Sequence, residues 1–250
     1  MGNLKNVEKG NLLYEGKAKK IFEVSGAPDK VWVSYKDSLT AFNALKKGEF
    51  EKKGAINREI SSLIFRFLEK KGISTHWISD ISPIEMIVKK VEIIPLEVVV
   101  RNILAGSTAK KLGIEEGKIL NKPLVEFYFK SDSLADPFLS DDQALMLEIA
   151  NEKELSELKK KALQINEALK NLWAQAGITL VDFKIEFGRT KTGEILLADE
   201  ISPDCCRLWD QKTNEKMDKD RFRRDLGNIK ESYEQVLIRV KSVVEGVLNV

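Results

Sequence analysis

The chain has 250 residues, of which 43% are hydrophobic and 32% are charged, and its formal net charge is +2. This composition is typical of a folded globular protein with one or two domains, and it argues against a disordered chain. The small net charge also argues against a nucleic-acid partner, unless a local basic patch binds one.

The first hundred residues are predicted to be mainly β. Runs rich in aromatic and β-branched residues predict strands over residues 11–16, 19–25, 30–37, 74–82, 85–94 and 96–102, with Pro95 separating the last two. Residues 38–54 are predicted to form a polar loop. A helix is expected over residues 56–68, where apolar residues recur on one face, and Gly72 ends it.

After Arg101 the pattern alternates between helix and strand. A short helix is predicted at 105–113, a strand at 124–132 and helical structure from 141. The clearest helix carries an apolar stripe with 3-4 spacing at Leu155, Leu158, Ala162, Ile165, Leu169, Leu172 and Ala176. A strand pair follows at 177–188 and 193–202, and residues 218–227 and 231–248 are predicted helical. This order predicts an α+β fold with two lobes, residues 1–100 and 101–250, and a ligand site between them.

Several classes of protein are disfavoured by what the sequence lacks. No apolar run approaches the roughly 20 residues of a membrane helix, and residues 1–10 contain no hydrophobic signal core, so we expect a cytoplasmic protein without a membrane partner. The two cysteines, Cys205 and Cys206, are adjacent, which strains a disulfide and is too few for a cysteine zinc site. With His76 as the single histidine, catalysis must depend on carboxylates, lysines, arginines or oxygen-bound metals.

The strand pair at 177–202 carries an unusual number of charges. Asp182, Lys184 and Glu186 alternate along the first strand and therefore share one face, and Asp199 lies across the hairpin. Two carboxylates that converge repel each other unless a cation lies between them, and Mg²⁺ suits such a pair. The alternative is a solvated face on which Lys184 neutralises its neighbours, and spacing alone leaves both interpretations open.

Two other segments are candidates for binding anions. Gly16, Lys17 and Lys19 lie at a predicted turn between strands, where the backbone and the lysines could approach phosphates, although a solvated basic hairpin explains them too. Arg101 ends a very apolar strand and Ser107 follows it, as in pockets that bind carboxylate or phosphate. Arg207 is a second such candidate, and each arginine could instead be structural.

Taken together, these segments resemble those of one family. The segments EGKAKKIF, VVVRNILAGS, KLGIEEG, LVDFKIEFG, LADEISPD, CRLWD and MDKDRFRRDLG occur in the order and spacing of the phosphoribosylaminoimidazole-succinocarboxamide synthase (SAICAR synthetase) family. The resemblance covers about residues 11–235, which is nearly the whole chain. Only Cys205 and Cys206 depart from the small or hydroxyl residues that the family commonly has before the arginine.

The resemblance implies a reaction and a fold. The enzyme would join L-aspartate to the carboxylate of carboxyaminoimidazole ribonucleotide (CAIR) in purine biosynthesis, with ATP converted to ADP and phosphate. The fold would be similar to ATP-grasp and kinase folds, with an N-terminal antiparallel β-lobe, a C-terminal α/β lobe and ATP in the cleft. The family also implies a homodimer.

The resemblance assigns roles to individual residues. Gly16, Lys17, Ala18 and Lys19 match the hairpin that covers the ATP phosphates, and the segment Lys89–Ile94, with Lys90 and Ile93, matches the strand that contacts adenine. The expected Mg²⁺ ligands are Glu186 and Asp199. The expected catalytic residues are Lys184, Asp182 and Arg101, and the expected substrate-binding residues are Arg101, Ser107, Arg207 and Asp37. The segment Lys130–Asp136 matches a mobile or substrate-side region.

Two other functions are compatible with parts of the sequence. A small-molecule kinase on a related ATP-grasp-like fold would share the metal carboxylates but would need a site for a hydroxyl acceptor. An RNA-binding module could use the basic segments at 16–20 and 46–54, and it would bind RNA with a steep dependence on salt. Release of phosphate without a phosphorylated organic product would distinguish the ligase from the kinase.

Overall fold

The computed structural model describes residues 7–42 and 44–249 and has the expected α+β character. Its strands are β1 (Lys9–Glu15), β2 (Lys19–Val24), β3 (Lys30–Tyr35), β4 (Ser38–Ala41), β5 (Lys46–Glu49), β6 (Trp77–Ser82), β7 (Glu85–Lys89), β8 (Glu92–Ile103), β9 (Ile119–Phe129), β10 (Phe138–Leu139), β11 (Ile178–Arg189), β12 (Ile195–Ala198) and β13 (Cys206–Asp210). Its helices are α1 (Lys53–Lys70), α2 (Gly106–Lys111), α3 (Asp141–Met146), α4 (Glu152–Gln175), α5 (Asp220–Arg223) and α6 (Ile229–Leu248). A short 3-10 helix covers Asp132–Leu134.

The first sheet is formed by the N-terminal part of the chain. Its five strands run antiparallel in the order β1-β2-β3-β7-β6. Each face carries a small apolar cluster, one around Val33 and Met86 and the other around Trp32 and Ile87. The sequence prediction of an antiparallel β-lobe is confirmed here, and β1 with β2 forms the hairpin that contains Gly16 and Lys19.

The second sheet has β11 at its centre. The strand order is β10-β9-β8-β11-β12, and β13 also pairs with β11. Helix α4 packs against this sheet, and its predicted apolar stripe is buried in the main hydrophobic core. The capping box of Asn151 and Glu154 fixes the start of α4, and Gly177, at a φ of 68°, follows its end. Among the described residues, no helix is both long enough and apolar enough to cross a membrane.

Helix α1 connects the two sheets. Backbone N–H groups of Lys52 and Gly54 donate to the Asp37 carboxylate at 3.2 and 2.8 Å, which fixes the start of the helix. Its buried face belongs to the same hydrophobic core as β8, β11, α4 and α6. Beyond the helix, His76 N donates to Leu197 O at 2.9 Å, so the segment before β6 pairs with β12. The N-terminal part of the chain is thus attached to the second sheet.

Two predicted elements were wrong. Residues 38–54 are not a loop throughout, because β4 and β5 form a hairpin and then α1 begins at Lys53; Leu39 and Ala41 are buried in β4. The predicted strand at 85–94 is two strands, and Pro95 lies inside β8 instead of ending a strand. Proline is tolerated there because the pairing of β8 with β11 is irregular between Glu97 and Ile93. The strand β13 was not predicted.

The position of the lobe boundary remains a prediction. The proposed division between residues 100 and 101 falls within β8, which pairs with β9 and β11 on both sides of that point. The chain passes from the first sheet to the second at Lys90 and Val91, between β7 and β8.

Candidate active site

A polar cleft opens on β8, β9 and β11, next to the loop that leads into β13. Its volume is about 250 Å³. The charged and polar side chains that line it come from all of these elements and from α5, and they include Arg101, Tyr128, Asp182, Lys184, Asp204, Arg207 and Arg223. Asp182 and Lys184, two of the three alternating charges of β11, therefore line a cleft.

Lysines and carboxylates alternate at one end of the site. Lys184 Nζ lies 2.6 Å from Glu186 Oε1, 3.3 Å from Glu97 Oε1 and 3.6 Å from Asp199 Oδ2. Lys130 Nζ contacts both carboxylate oxygens of Glu186 at 2.7 Å. We call the group formed by these five residues together with Lys19 and Glu200 the lysine–carboxylate cluster.

Lys19 brings the first sheet into this cluster. Its ammonium contacts the Asp199 carboxylate and lies 3.3 Å from Glu200 Oε1. Burial alone would lower the pKa of Lys19, but Asp199 and Glu200 outweigh it and hold that pKa well above its usual value. A buried cation of this kind, which comes from the hairpin of β1 and β2, is suited to bind phosphate.

The charges of the cluster depend on one another. Burial opposes ionisation of Lys184, yet Glu186, Asp199 and Glu97 together raise the pKa of Lys184 well above normal. Burial likewise opposes ionisation of Asp199, but Lys19 and Lys184 lower its pKa. Glu97 is shifted towards its neutral form, because burial raises its pKa more than Lys184 lowers it.

The donor set of the cluster fits Mg²⁺ that arrives with a nucleotide. Among residues 7–42 and 44–249, no group of three His, Cys, Asp or Glu side chains is placed so that it could hold a metal ion. Glu186 and Asp199 nevertheless both contact the ammonium of Lys184, so two carboxylates share one cation. Mg²⁺ at phosphate-transfer sites needs only one or two carboxylates, since phosphate oxygens and water complete its shell.

Two arginines and one aspartate form the opposite wall. Arg101 is only 4% exposed; it donates to Glu126 Oε2 at 2.6 Å and to Asp182 Oδ2 at 2.7 Å. Arg207 donates to the same Asp182 oxygen at 2.9 Å and to Asp220 Oδ2 at 3.0 Å. Asp182 therefore holds both guanidinium groups in place, and their burial is compensated by these carboxylates.

Gly106 lies against one of these arginines. It adopts a φ of 63°, and a Cβ at this position would come within 2.7 Å of Arg207 Cζ. Glycine is required here both by the left-handed backbone and by the close approach of the guanidinium. The next residue, Ser107, is exposed at the start of α2.

The remaining predicted residues lie outside this wall. Lys17 is exposed and pairs with Asp132 of the 3-10 helix at 2.7 Å, which joins the β1–β2 hairpin to the segment after β9. Gly16 N donates to Lys19 O at 2.8 Å and closes the hairpin turn, which contains Ala18. Lys90 and Ile93 are exposed at the β7–β8 junction, and Asp37 lies at the start of α1, as described above.

Several residues of the site were not predicted individually. Glu97, Glu126 and Asp220 are paired with predicted residues, and Arg223 is paired with Asp220. Lys130 was expected only as part of a segment and is paired with Glu186. Glu97 and Glu126 each lie between apolar neighbours in their strands, which is a usable signal in the sequence. Their partners could not be identified without the strand register.

The two cysteines make no disulfide. Both thiols are free, and burial raises the pKa of the Cys206 thiol. Cys205 Sγ lines the cleft and accepts a hydrogen bond from Ser202 N at 3.2 Å. The cysteines therefore take part in the packing and turn geometry of the loop before β13.

The sequence matches one protein family over nearly its whole length. The family model described as SAICAR synthetase matches residues 12–240. The phosphoribosylaminoimidazole-succinocarboxamide synthase of Shouchella clausii is 56% identical over 232 residues, which cover 93% of this chain and 97% of that protein. That of Bacillus cereus is 54% identical over 237 residues, covering 95% of this chain and 99% of the relative.

Solved structures give the same result. The crystal structure of the synthase from Ehrlichia chaffeensis matches with a TM-score of 0.90 and 44% identity, covering 92% of this chain and 98% of that chain. A SAICAR synthetase solved in complex with ADP matches with a TM-score of 0.88 and 45% identity, covering 94% of this chain and 98% of that chain. The sequence, the fold and the charged cleft thus agree, and the chain belongs to the SAICAR synthetase family.

Proposed function

We propose that the cleft carries out the reaction of this ATP-dependent ligase family, in which L-aspartate is joined to the carboxylate of CAIR to give SAICAR, ADP and phosphate. The observation that carries the proposal is that the lysine–carboxylate cluster and the arginine wall lie at opposite ends of one cleft, which Lys184 and Arg207 both line. One end is suited to a nucleotide phosphate and the other to an anionic acceptor. A similar protein solved with ADP supports the use of ATP.

The nucleotide would bind at the cluster. Gly16, Lys17, Ala18 and Lys19 are proposed to cover the phosphates, with Lys184 and Lys130 neutralising their charge, and Lys90 and Ile93 are proposed to contact adenine. Glu186 and Asp199 would hold Mg²⁺, which neutralises charge on the transferring phosphoryl group when it is bound. Transfer to the CAIR carboxylate would give an acyl phosphate, and the amine of aspartate would then displace phosphate.

The acceptor would bind at the arginine wall. Arg207 and Ser107 are proposed to bind the phosphate of the ribonucleotide, since Gly106, the residue before Ser107, lies against the Arg207 guanidinium. Arg101, which is buried, is proposed to bind the substrate. It is also proposed to hold the Asp182 carboxylate, which in turn orients Arg207. Asp37 is proposed to influence substrate binding indirectly, by fixing the start of α1. Its carboxylate already accepts two backbone hydrogen bonds there.

The assembly and location of the protein are also proposals. The family resemblance supports a homodimer and a cytoplasmic enzyme of purine biosynthesis whose partners are the small molecules ATP, CAIR and L-aspartate. The match to SAICAR synthetases over nearly the whole chain disfavours the small-molecule kinase and the RNA-binding module.

The test is phosphate release from ATP and Mg²⁺ with CAIR and L-aspartate supplied separately and together. We expect sustained release only when both are present, with SAICAR as the product. A phosphorylated organic product formed without aspartate would support the kinase instead.

A further inference from the structure

His76, the only histidine of the chain, lies beside the end of β12, which Asp199 follows. The backbone N–H of His76 donates to Leu197 O at 2.9 Å, and that of Leu197 donates to Ser74 O at 3.2 Å. Between these two hydrogen bonds, Thr75 pairs in parallel with Leu197. The backbone of His76 is therefore fixed alongside the part of the chain that leads into Asp199.

The imidazole ring of His76 is buried between the helix α1 and this part of the chain. It is 6% exposed, and its edge packs against the Phe65 ring of α1 with the centroids 5.3 Å apart. The ring makes a hydrogen bond with the backbone of Asp199, and because that bond raises the pKa of His76, the acceptor is the carbonyl oxygen. Nε2 is buried without a partner among the described residues, so Nδ1 is the nitrogen that donates.

Burial keeps this imidazole neutral. It lowers the pKa of His76 to about 3, and the charge of Asp199 and the hydrogen bond with its backbone oppose that shift only in part. A neutral imidazole donates through one nitrogen and adds no positive charge. His76 can thus hold the backbone of Asp199 without competing with Lys19 and Lys184 for its carboxylate.

The backbone of Asp199 is one that needs such support. It adopts a φ of 63°, and a residue other than glycine keeps this conformation only where the surrounding structure holds it. The Asp199 carboxylate contacts Lys19 and lies 3.6 Å from Lys184 Nζ. If the backbone relaxed, the direction of the carboxylate would change with it. The hydrogen bond from His76 acts on the carbonyl of the strained residue itself.

We propose that His76 is a positioning residue, which holds the Asp199 carboxylate in the orientation that binds Mg²⁺. The inference rests on the proposed function, in which Asp199 is a ligand of that metal. Groups that orient a metal ligand without touching the metal typically change metal affinity about 10- to 100-fold. The alternative is that His76 only fills the core, as its neighbour Phe65 does.

The test measures the affinity of the protein for ADP by calorimetry, once with Mg²⁺ and once with EDTA. The ratio of the two dissociation constants reports the contribution of the metal, since the other contacts to ADP are common to both. In His76→Leu we expect this ratio to fall about 10-fold or more, while the affinity in EDTA changes by less than about threefold. His76→Asn keeps an amide N–H near the position of Nδ1 and should retain most of the ratio. His76→Gln places its amide near the position of Nε2 and should not.

Val244→Ala is the control for lost packing, because Val244 is fully buried in the main hydrophobic core. It should lower the melting temperature and leave the ratio unchanged. An equal fall of the ratio in His76→Leu and Val244→Ala would overturn the inference, and so would a ratio in His76→Asn no better than in His76→Gln. If His76→Leu does not fold, the comparison of the Asn and Gln variants decides alone. If Mg²⁺ does not raise the affinity of the wild type for ADP, the proposed metal site fails and the inference fails with it.

Discussion

Asp199 combines an unusual backbone conformation with a carboxylate that contacts two lysines. It adopts a φ of 63°, which is uncommon outside glycine, and its carboxylate contacts Lys19 and Lys184. Backbone strain of this kind is retained where the surrounding structure requires it, often at a functional site. Here it aims one carboxylate at the cations of both sheets, and this supports its proposed role as a Mg²⁺ ligand.

Asp199→Asn should lower turnover on the order of 100-fold, because the bound metal would lose a charged ligand while phosphate is transferred. Raising the Mg²⁺ concentration should restore part of the activity. The melting temperature without ligands should fall, since Lys19 and Lys184 lose a buried partner. The measurement is turnover against Mg²⁺ concentration, with Glu97→Gln as a control that also contacts Lys184. An unchanged Mg²⁺ dependence in Asp199→Asn, or an equal shift in the control, would contradict the metal assignment.

Individual site residues were predictable to different degrees. The alternation of Asp182, Lys184 and Glu186 on β11 indicated one charged face, and the structure places all three at the cleft or its cluster. The sequence could not indicate that Asp182 holds two arginines, because Arg207 and Arg101 reach it from β13 and β8. That information lies in the strand register, which one sequence does not contain.

At the scale of elements, the junction of β8 and α2 positions the guanidinium of Arg207. The chain turns at Gly106, and the small residue lets α2 begin directly against the arginine. A short element of this kind holds a neighbouring side chain in position only if its first residues keep their backbone conformation.

The β4–β5 hairpin could not be predicted from local sequence patterns. Its strands have only four residues each, and Gly48 packs against the Phe222 ring, a contact between residues distant in the sequence that no local pattern indicates.

Gly106→Ala should raise the KM for CAIR about 10-fold or more, because the added Cβ displaces the Arg207 guanidinium. It should also destabilise the fold by about 1 kcal/mol, because alanine at positive φ is strained. Gly113→Ala is the control, since Gly113 has the same φ of 63° but no atom within 4 Å of an added Cβ. Both variants should lose stability in thermal melts, and only Gly106→Ala should change the KM. A KM change shared by both would show that strain alone is responsible.

The loop between β13 and α5 should make stability depend on pH. Asp218 accepts hydrogen bonds from Leu208 N at 2.8 Å and Asp220 N at 2.7 Å, and burial followed by the repulsion of Asp220 raises its pKa to about 7. Because the pKa in the folded state lies above that of the unfolded chain, the folded state binds more protons, and this contribution to stability decreases from about pH 4 to about pH 7. The melting temperature should therefore fall by several degrees between pH 5 and pH 7.5. Asp218→Asn should remove most of that slope, and a slope that persists in the variant would assign it to other groups.

At the scale of the whole molecule, the site depends on contacts between the two sheets. Lys19 of β2 contacts the loop after β12, Lys17 reaches Asp132, and the segment before β6 pairs with β12. The sequence predicted two β-containing parts and a cleft, because strand and helix periodicities are local. The sharing of one core by α1 and the second sheet was not predictable, because the apolar face of α1 does not specify its partner.

Lys19→Ala tests whether the contact between the sheets also binds the nucleotide. We expect the KM for ATP to rise about 10-fold or more and turnover to fall, because the phosphates lose a buried cation. The melting temperature of the ligand-free variant should fall as well, since Asp199 and Glu200 lose their partner from β2. Lys20→Ala is the control from the same strand: Lys20 is half exposed and pairs with Glu15 at 3.5 Å, so both readouts should stay near wild type. Stabilisation by ATP and Mg²⁺ in thermal melts should be weaker in Lys19→Ala than in Lys20→Ala, since a variant that binds less nucleotide gains less from it. If Lys19→Ala loses stability but keeps the wild-type KM and the full shift with ATP, Lys19 joins the two sheets without binding phosphate.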